Sequence, residues 1–148
     1  MSDVKDLQPY AANTEGLTGV LEDLRATMPS SIVFKVVGYV VNAFENVTQG
    51  DVLYARSSDG QVGKAIANDT LDKAVVAGIA ETTVTAGNEV RVIVTGQVAV
   101  STSLDPGDMY FLSASSAGGL TKTPPSSAGQ YLTLVGEAGT SNQIVLKI

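Results

Sequence analysis

The sequence predicts an all-β protein: a β-sandwich or barrel with a duplicated β-module, preceded by an extended N-terminal arm and one short helix. Three observations carry that expectation. A stretch around Asp51 recurs 57 residues later around Asp108, short β-rich runs alternate with turn signals, and a single segment has helical periodicity.

The repeat marks a supersecondary unit used more than once. Val47-Thr48-Gln49-Gly50-Asp51-Val52-Leu53-Tyr54 aligns with Leu104-Asp105-Pro106-Gly107-Asp108-Met109-Tyr110-Phe111. Each copy is an apolar residue, a polar turn, a Gly-Asp pair and an apolar or aromatic strand start. Residues 57–64 and 115–122 then align as a Gly-containing turn leading into a short strand with Lys64 or Lys122. Val76-Ala77-Gly78-Ile79-Ala80 pairs with Leu134-Val135-Gly136-Glu137-Ala138, and the halves close on β-branched runs at 90–94 and 144–148. Two copies are too few for a solenoid, so both belong to one β-domain, 30–148, with halves at about 47–101 and 104–148.

Residues 1–16 are polar, with Val4, Leu7 and Tyr10 spaced around Pro9. Three apolar residues cannot build a core, so this arm is either a disordered terminus or a segment that orders on a partner. The segment 17–29 is the amphipathic helix. Leu17, Val20, Leu21, Leu24 and Met28 share one helical face, Thr14 or Thr18 can cap its start, and Pro29 ends it.

From residue 32 the signals are β. A long strand at 32–41, bent at Gly38, precedes strands at 51–57, 61–67, 73–81, 89–95, 97–101, 108–114, 120–123, 130–138 and 143–148. Gln49-Gly50, Asp59-Gly60, Gly87-Asn88, Pro106-Gly107 and Gly118-Gly119 supply the turns between them. Val92, Val94, Val98 and Val100 share one parity, with Gly96 opening a bulge or bend between the two pairs. Tyr54, Tyr110, Phe111 and Tyr131 stand at strand starts and are expected to close the ends of the core, their hydroxyls reaching solvent or turn carbonyls. Residues 113–129 read as a long ordered loop around a short edge strand, because Pro124-Pro125 cannot sit in a central strand. The chain closes on a strand with Ile144, Leu146 and Ile148 on one parity, which must pair within the domain or with another chain.

Composition excludes several chemistries. Without cysteine or histidine there are no disulfides, no thiol or Ser-His-Asp catalysis and no thiolate or imidazole metal site. The net charge is −6, and the nine basic residues are scattered singly, so nucleic acid and anionic membrane would be repelled. The N-terminus lacks a basic-then-apolar secretory pattern, and the apolar run at 32–41 is interrupted by Lys35 and far shorter than the roughly 20 residues of a spanning helix. A soluble chain is expected. Asp51 and Asp108 read as turn residues whose carboxylates accept local N–H bonds, Asp69 and Asp72 lack EF-hand spacing, and Ala117-Gly118-Gly119 lacks the Lys-Ser/Thr of a phosphate loop. No catalytic, metal-binding or cofactor-binding residue is therefore expected, which favours a non-enzymatic, structural role.

Pro106-Gly107-Asp108-Met109-Tyr110-Phe111-Leu112-Ser113, followed by Ala117-Gly118-Gly119-Leu120-Thr121, Thr123-Pro124-Pro125 and Gly129-Gln130-Tyr131, resembles a β-module of tailed-bacteriophage virion structural proteins. Val135-Gly136-Glu137-Ala138 and Ile144-Val145-Leu146 extend the likeness, which covers the last third well, residues 47–100 more loosely and residues 1–31 barely. In that group the module occurs in capsid decoration (cement) proteins and in tail or head fibres. A chain that is almost all module is most like a decoration protein. The resemblance implies a homotrimer on the outer capsid surface, made in the host cytoplasm, whose partner is the major capsid protein and whose role is shell stabilisation. Under it the docking contacts are Val4, Leu7 and Tyr10 of the arm and Leu17, Val20, Leu21 and Leu24 of the helix. A tail or head fibre/adaptor subunit is the alternative. A carbohydrate-binding module is disfavoured by five Tyr, three Phe and no Trp.

Overall fold

A computed structural model describes residues Lys35–Ile148. The β-rich runs form two five-stranded antiparallel sheets. The first contains β1 (Val37–Asn42), β2 (Val52–Ala55), β3 (Val62–Lys64), β4 (Gly78–Ala80) and β5 (Glu89–Thr95), in the order β1-β5-β4-β2-β3. The second contains β6 (Gln97–Ala99), β7 (Met109–Leu112), β8 (Leu120–Thr121), β9 (Leu134–Thr140) and β10 (Gln143–Leu146), in the order β6-β10-β9-β7-β8. Each strand of the second sheet occupies the place of the strand five before it. The all-β expectation holds, and the duplication extends to the order of the strands. Each structural unit opens one strand ahead of the sequence repeat, with β1 and β6.

The turns repeat bond for bond. Asp51 N donates to Thr48 O at 2.9 Å and Asp108 N to Asp105 O at 3.1 Å; Ala80 N reaches Asp51 O and Ala138 N reaches Asp108 O, both at 2.9 Å. Gly50 and Gly107 sit at φ of 90° and 89°, which an L side chain rarely adopts, so the Gly of each Gly-Asp pair is required by the turn.

Two segments depart from the strands expected of them. The run at 73–81 is split: one helical turn, α1 (Leu71–Ala74), precedes β4, which keeps only three residues. Lys73 Nζ bonds Asp69 Oδ2 at 2.6 Å across that turn, and Thr70 stands at its N-cap in extended geometry. The second departure is at 130–133, which precedes β9 as loop. There Tyr131 N bonds Ala67 O at 2.7 Å, across to the first unit instead of into a ladder. Gly38, by contrast, bends β1 as its position suggested, through a register shift between Val37 and Gly38.

Side chains opposite one another in a ladder share a face. Val52, Ile79 and Ile93 line up across β2, β4 and β5, and pack with Val98, Tyr110, Leu112, Ala138, Ile144 and Leu146 of the second sheet in one core. The other face of the first sheet presents Leu53, Val62, Ala80, Val90 and Val92, which form a second core with Ala43 and Val47. Residues 43–47 are pinned over that face by Phe44 N to Val62 O and by the mutual Val47–Val84 backbone bonds, all at 3.0 Å. A backbone seam joins the two units: Val52 N to Gly118 O at 2.9 Å, Gly118 N to Ala65 O at 2.7 Å and Ala67 N to Ser113 O at 2.9 Å. Ala65 and Ala67, fully buried beneath it, are small because the backbones approach so closely.

Gly96, at φ 107°, carries the chain from β5 to β6 and so from one sheet to the other. The shared parity of Val92, Val94, Val98 and Val100 therefore does not make one face. Val92 and Val94 pack in the second core, Val98 and Val100 in the core between the sheets.

Candidate functional site

The sequence-derived docking residues Val4, Leu7, Tyr10, Leu17, Val20, Leu21 and Leu24 lie outside the described residues. The two Asp residues of the repeat have taken different partners. Asp51 Oδ2 accepts Thr48 N–H at 2.8 Å, and its carboxyl is pushed above the usual aspartate range by burial, against the pull of that bond and of Lys64. Asp108 shares Lys122 with Asp105, and those two carboxylates raise the ammonium above its ordinary value. Both stand in turns, but only the Asp51 carboxylate accepts a local N–H as expected; that of Asp108 pairs with Lys122, fourteen residues on. Tyr54 and Tyr110 are buried as expected, and Tyr110 Oη accepts the Asp105 N–H at 2.8 Å, a turn amide in place of a turn carbonyl. Phe111 points to the opposite side of its strand and does not join that core.

The pairing at the end of β2 is more specific. Phe44 meets Tyr54 edge-on at 5.9 Å, and the Arg56 guanidinium lies 4.1 Å over the Phe44 ring. Asp59 grips Arg56 with both oxygens and accepts Gln61 N–H, so its carboxyl titrates below the usual range, first through the Arg56 bond. This group shapes the turn at the end of β2.

An apolar opening lies elsewhere. A groove of about 330 Å³ is bounded by Leu71, Ala74, Val75 and Val76 on and after α1, by residues 131–134, and by Ile148. Its walls are held by backbone. Thr133 Oγ1 donates to Ala74 O at 2.8 Å, Tyr131 N to Ala67 O at 2.7 Å, and Lys147 N to Val135 O at 2.9 Å. With the inward directions already filled, Leu71, Val75, Leu132 and Ile148 project outward, at 62%, 60%, 65% and 48% exposure. Such a surface can take up an apolar segment of a partner.

A second apolar surface is the edge strand β1. Val36, Val37, Tyr39 and Val40 are all exposed, and among the described residues only β5 pairs with this strand. Long apolar edges of this kind invite pairing with another chain. No helix among the described residues is long and apolar enough to cross a membrane. Compared with known families and proteins, the chain matches no family model and no curated protein.

Proposed function

We propose that this chain is a non-enzymatic virion structural protein of the capsid decoration (cement) type, which binds the outer shell and stabilises it. The observation that carries the docking role is the groove between α1, residues 131–134 and Ile148, where four large apolar side chains stand about half exposed or more on hydrogen-bonded backbone. Contiguous apolar surface on a rigid body marks an interaction site. The virion assignment rests on the likeness of residues 104–148 to the phage β-module, and the doubled module supports it. In this reading the β-body lies across neighbouring capsomers and adds contact area that resists internal pressure, while residues 1–16 grip the shell as an arm. The partner is the major capsid protein, and the working unit is a trimer.

The test is copy number in purified particles, measured against the major shell protein, for the parent and for Leu71→Ser/Leu132→Ser. A ratio near one, or a regular fraction of it, supports decoration, with occupancy falling at least about tenfold in the variant. Both residues are exposed, so the variant's thermal midpoint stays near the parent's. A handful of copies per particle overturns decoration in favour of a fibre or adaptor, and absence from particles overturns the virion reading.

A further inference from the structure

The only Asp-Gly pair in the chain, Asp59-Gly60, lies at the tip of the turn that joins β2 to β3. A glycine in second place leaves its amide nitrogen unshielded by a Cβ and gives the backbone freedom to bring that nitrogen onto the aspartate carboxyl. Gly60 N can then attack Asp59 Cγ. A C–N bond forms, the carboxyl hydroxyl leaves with the amide proton as water, and a cyclic succinimide results. Water reopens the ring at either carbonyl. Opening at Cγ restores aspartate; opening at the backbone carbonyl gives isoaspartate, whose main chain runs through Cγ, with no change in mass. The turn is accessible to this chemistry, with the Arg56 and Asp59 side chains 38% and 37% exposed and no atom within 4 Å of where a Gly60 Cβ would stand.

Local contacts oppose it. Arg56 holds both carboxylate oxygens, Nε to Oδ1 at 3.1 Å and Nη2 to Oδ2 at 2.7 Å, and Gln61 N–H donates to Oδ1 at 3.0 Å. These bonds favour the ionised group, which has no hydroxyl to lose. The attacking nitrogen is engaged as well, since Gly60 N–H donates to Arg56 O at 2.7 Å. Arg56 is itself braced. Its guanidinium lies 4.1 Å over the Phe44 ring, and Phe44 rests edge-on against the buried Tyr54, so the clamp is anchored in the core.

We propose that Asp59-Gly60 is a site of spontaneous isoaspartate formation, and that the Arg56 clamp, braced on Phe44, keeps it unreacted in the folded chain. Isoaspartate would lengthen the turn by one backbone atom and move its free carboxylate away from Cγ. The ion pair with Arg56 and the bond from Arg56 N to Gln61 O, now 2.8 Å, would both be lost. The element loosened is β3, an edge strand of the first sheet that carries the fully buried Val62.

The test is warm incubation of the full chain at neutral pH, followed by peptide mapping with an endoproteinase that cleaves before aspartate but not before isoaspartate. Arg56→Ala, with Arg56→Gln as a second probe, is expected to raise the rate of isoaspartate formation at position 59 at least about fivefold, as loss of a charge-assisted pair implies. Arg56→Ala/Gly60→Ala is expected to return to the parent rate or below. The chain unfolded in guanidinium chloride is expected to react fast with or without Arg56. Far-UV circular dichroism checks that each variant is folded. Folded Arg56 variants that age no faster than the parent overturn the proposal. So does a folded parent that reacts as fast as the unfolded chain, or an unfolded chain that forms no isoaspartate at position 59.

Discussion

Gly136 offers a sharp test of how closely these strands are packed. It lies in β9 between Tyr110 of β7 and Leu146 of β10. A Cβ added there would stand 2.2 Å from the Val145 carbonyl oxygen and 3.1 Å from Ile144 Cγ1. Its φ is not positive, so alanine is conformationally acceptable and the obstacle is steric alone. Because the obstructing atom is backbone, β9 and β10 must separate by roughly 1 Å, which weakens about two ladder bonds at about 1 kcal/mol each, and the forced overpacking costs about 1–3 kcal/mol more. The sum for Gly136→Ala is about 3–5 kcal/mol. At about 4 °C per kcal/mol for a body of this size, the thermal midpoint falls by roughly 10–20 °C. Gly87→Ala is the control: its φ is 89° and no atom lies within 4 Å, so it pays only for the left-handed backbone, about 1–2 kcal/mol. Gly78, the equivalent of Gly136 in unit one, faces Ile93 O at 2.4 Å, and its alanine variant should behave like Gly136→Ala. Thermal unfolding followed by circular dichroism decides it. A Gly136→Ala midpoint at or above that of Gly87→Ala refutes the reasoning.

Two further outcomes follow from the site geometry. Asp51 has a raised pKa in the fold, so between the ordinary aspartate value near 3.9 and the folded value the native state binds more protons than the unfolded state, and stability falls as pH rises through that window. Asp51→Asn removes this slope; its urea midpoint relative to the parent should improve from about pH 3 to about pH 6, and a constant or opposite difference counts against burial as the cause. Phe44→Ala removes the edge contact with Tyr54 and the platform under Arg56, and should cost about 2 kcal/mol in urea unfolding. An unchanged midpoint would mean that the aromatic pair contributes no packing.

Much of the fold was legible because each cue was local. The Gly-Asp turns at Gly50 and Gly107, the aligned starts of β2 and β7, and the Gly78–Gly136 correspondence could all be found by sliding the chain against itself. What failed was decided by longer-range bonds. The apolar run from Ala74 to Ala80 fits a buried strand as well as a helical turn followed by one, and periodicity cannot separate these over so few residues. Parity across Gly96, with a bulge or bend allowed there, left open which cores Val92, Val94, Val98 and Val100 join; the change of sheet at Gly96 divides them. The groove left no pattern, because Leu71, Val75, Leu132 and Ile148 come from three distant segments and meet only through folding.

The second core under residues 43–47 makes the two halves unequal in a way that bears on the order of folding. Each sheet comes from one unbroken stretch of chain, so its pairing closes over short loops and can form early. The first sheet finds apolar cover on one side from its own residues, Ala43 and Val47, before the second has formed. Among the described residues, the second sheet has apolar cover on the side that faces the first, and gains it when the two dock. Amide exchange should therefore be slowest in β4 and β5, at Ile79, Ala80, Val92 and Ile93, which lie between both cores, and faster in β7 and β9. That exchange pattern would make the half synthesised first the template on which the later half is completed.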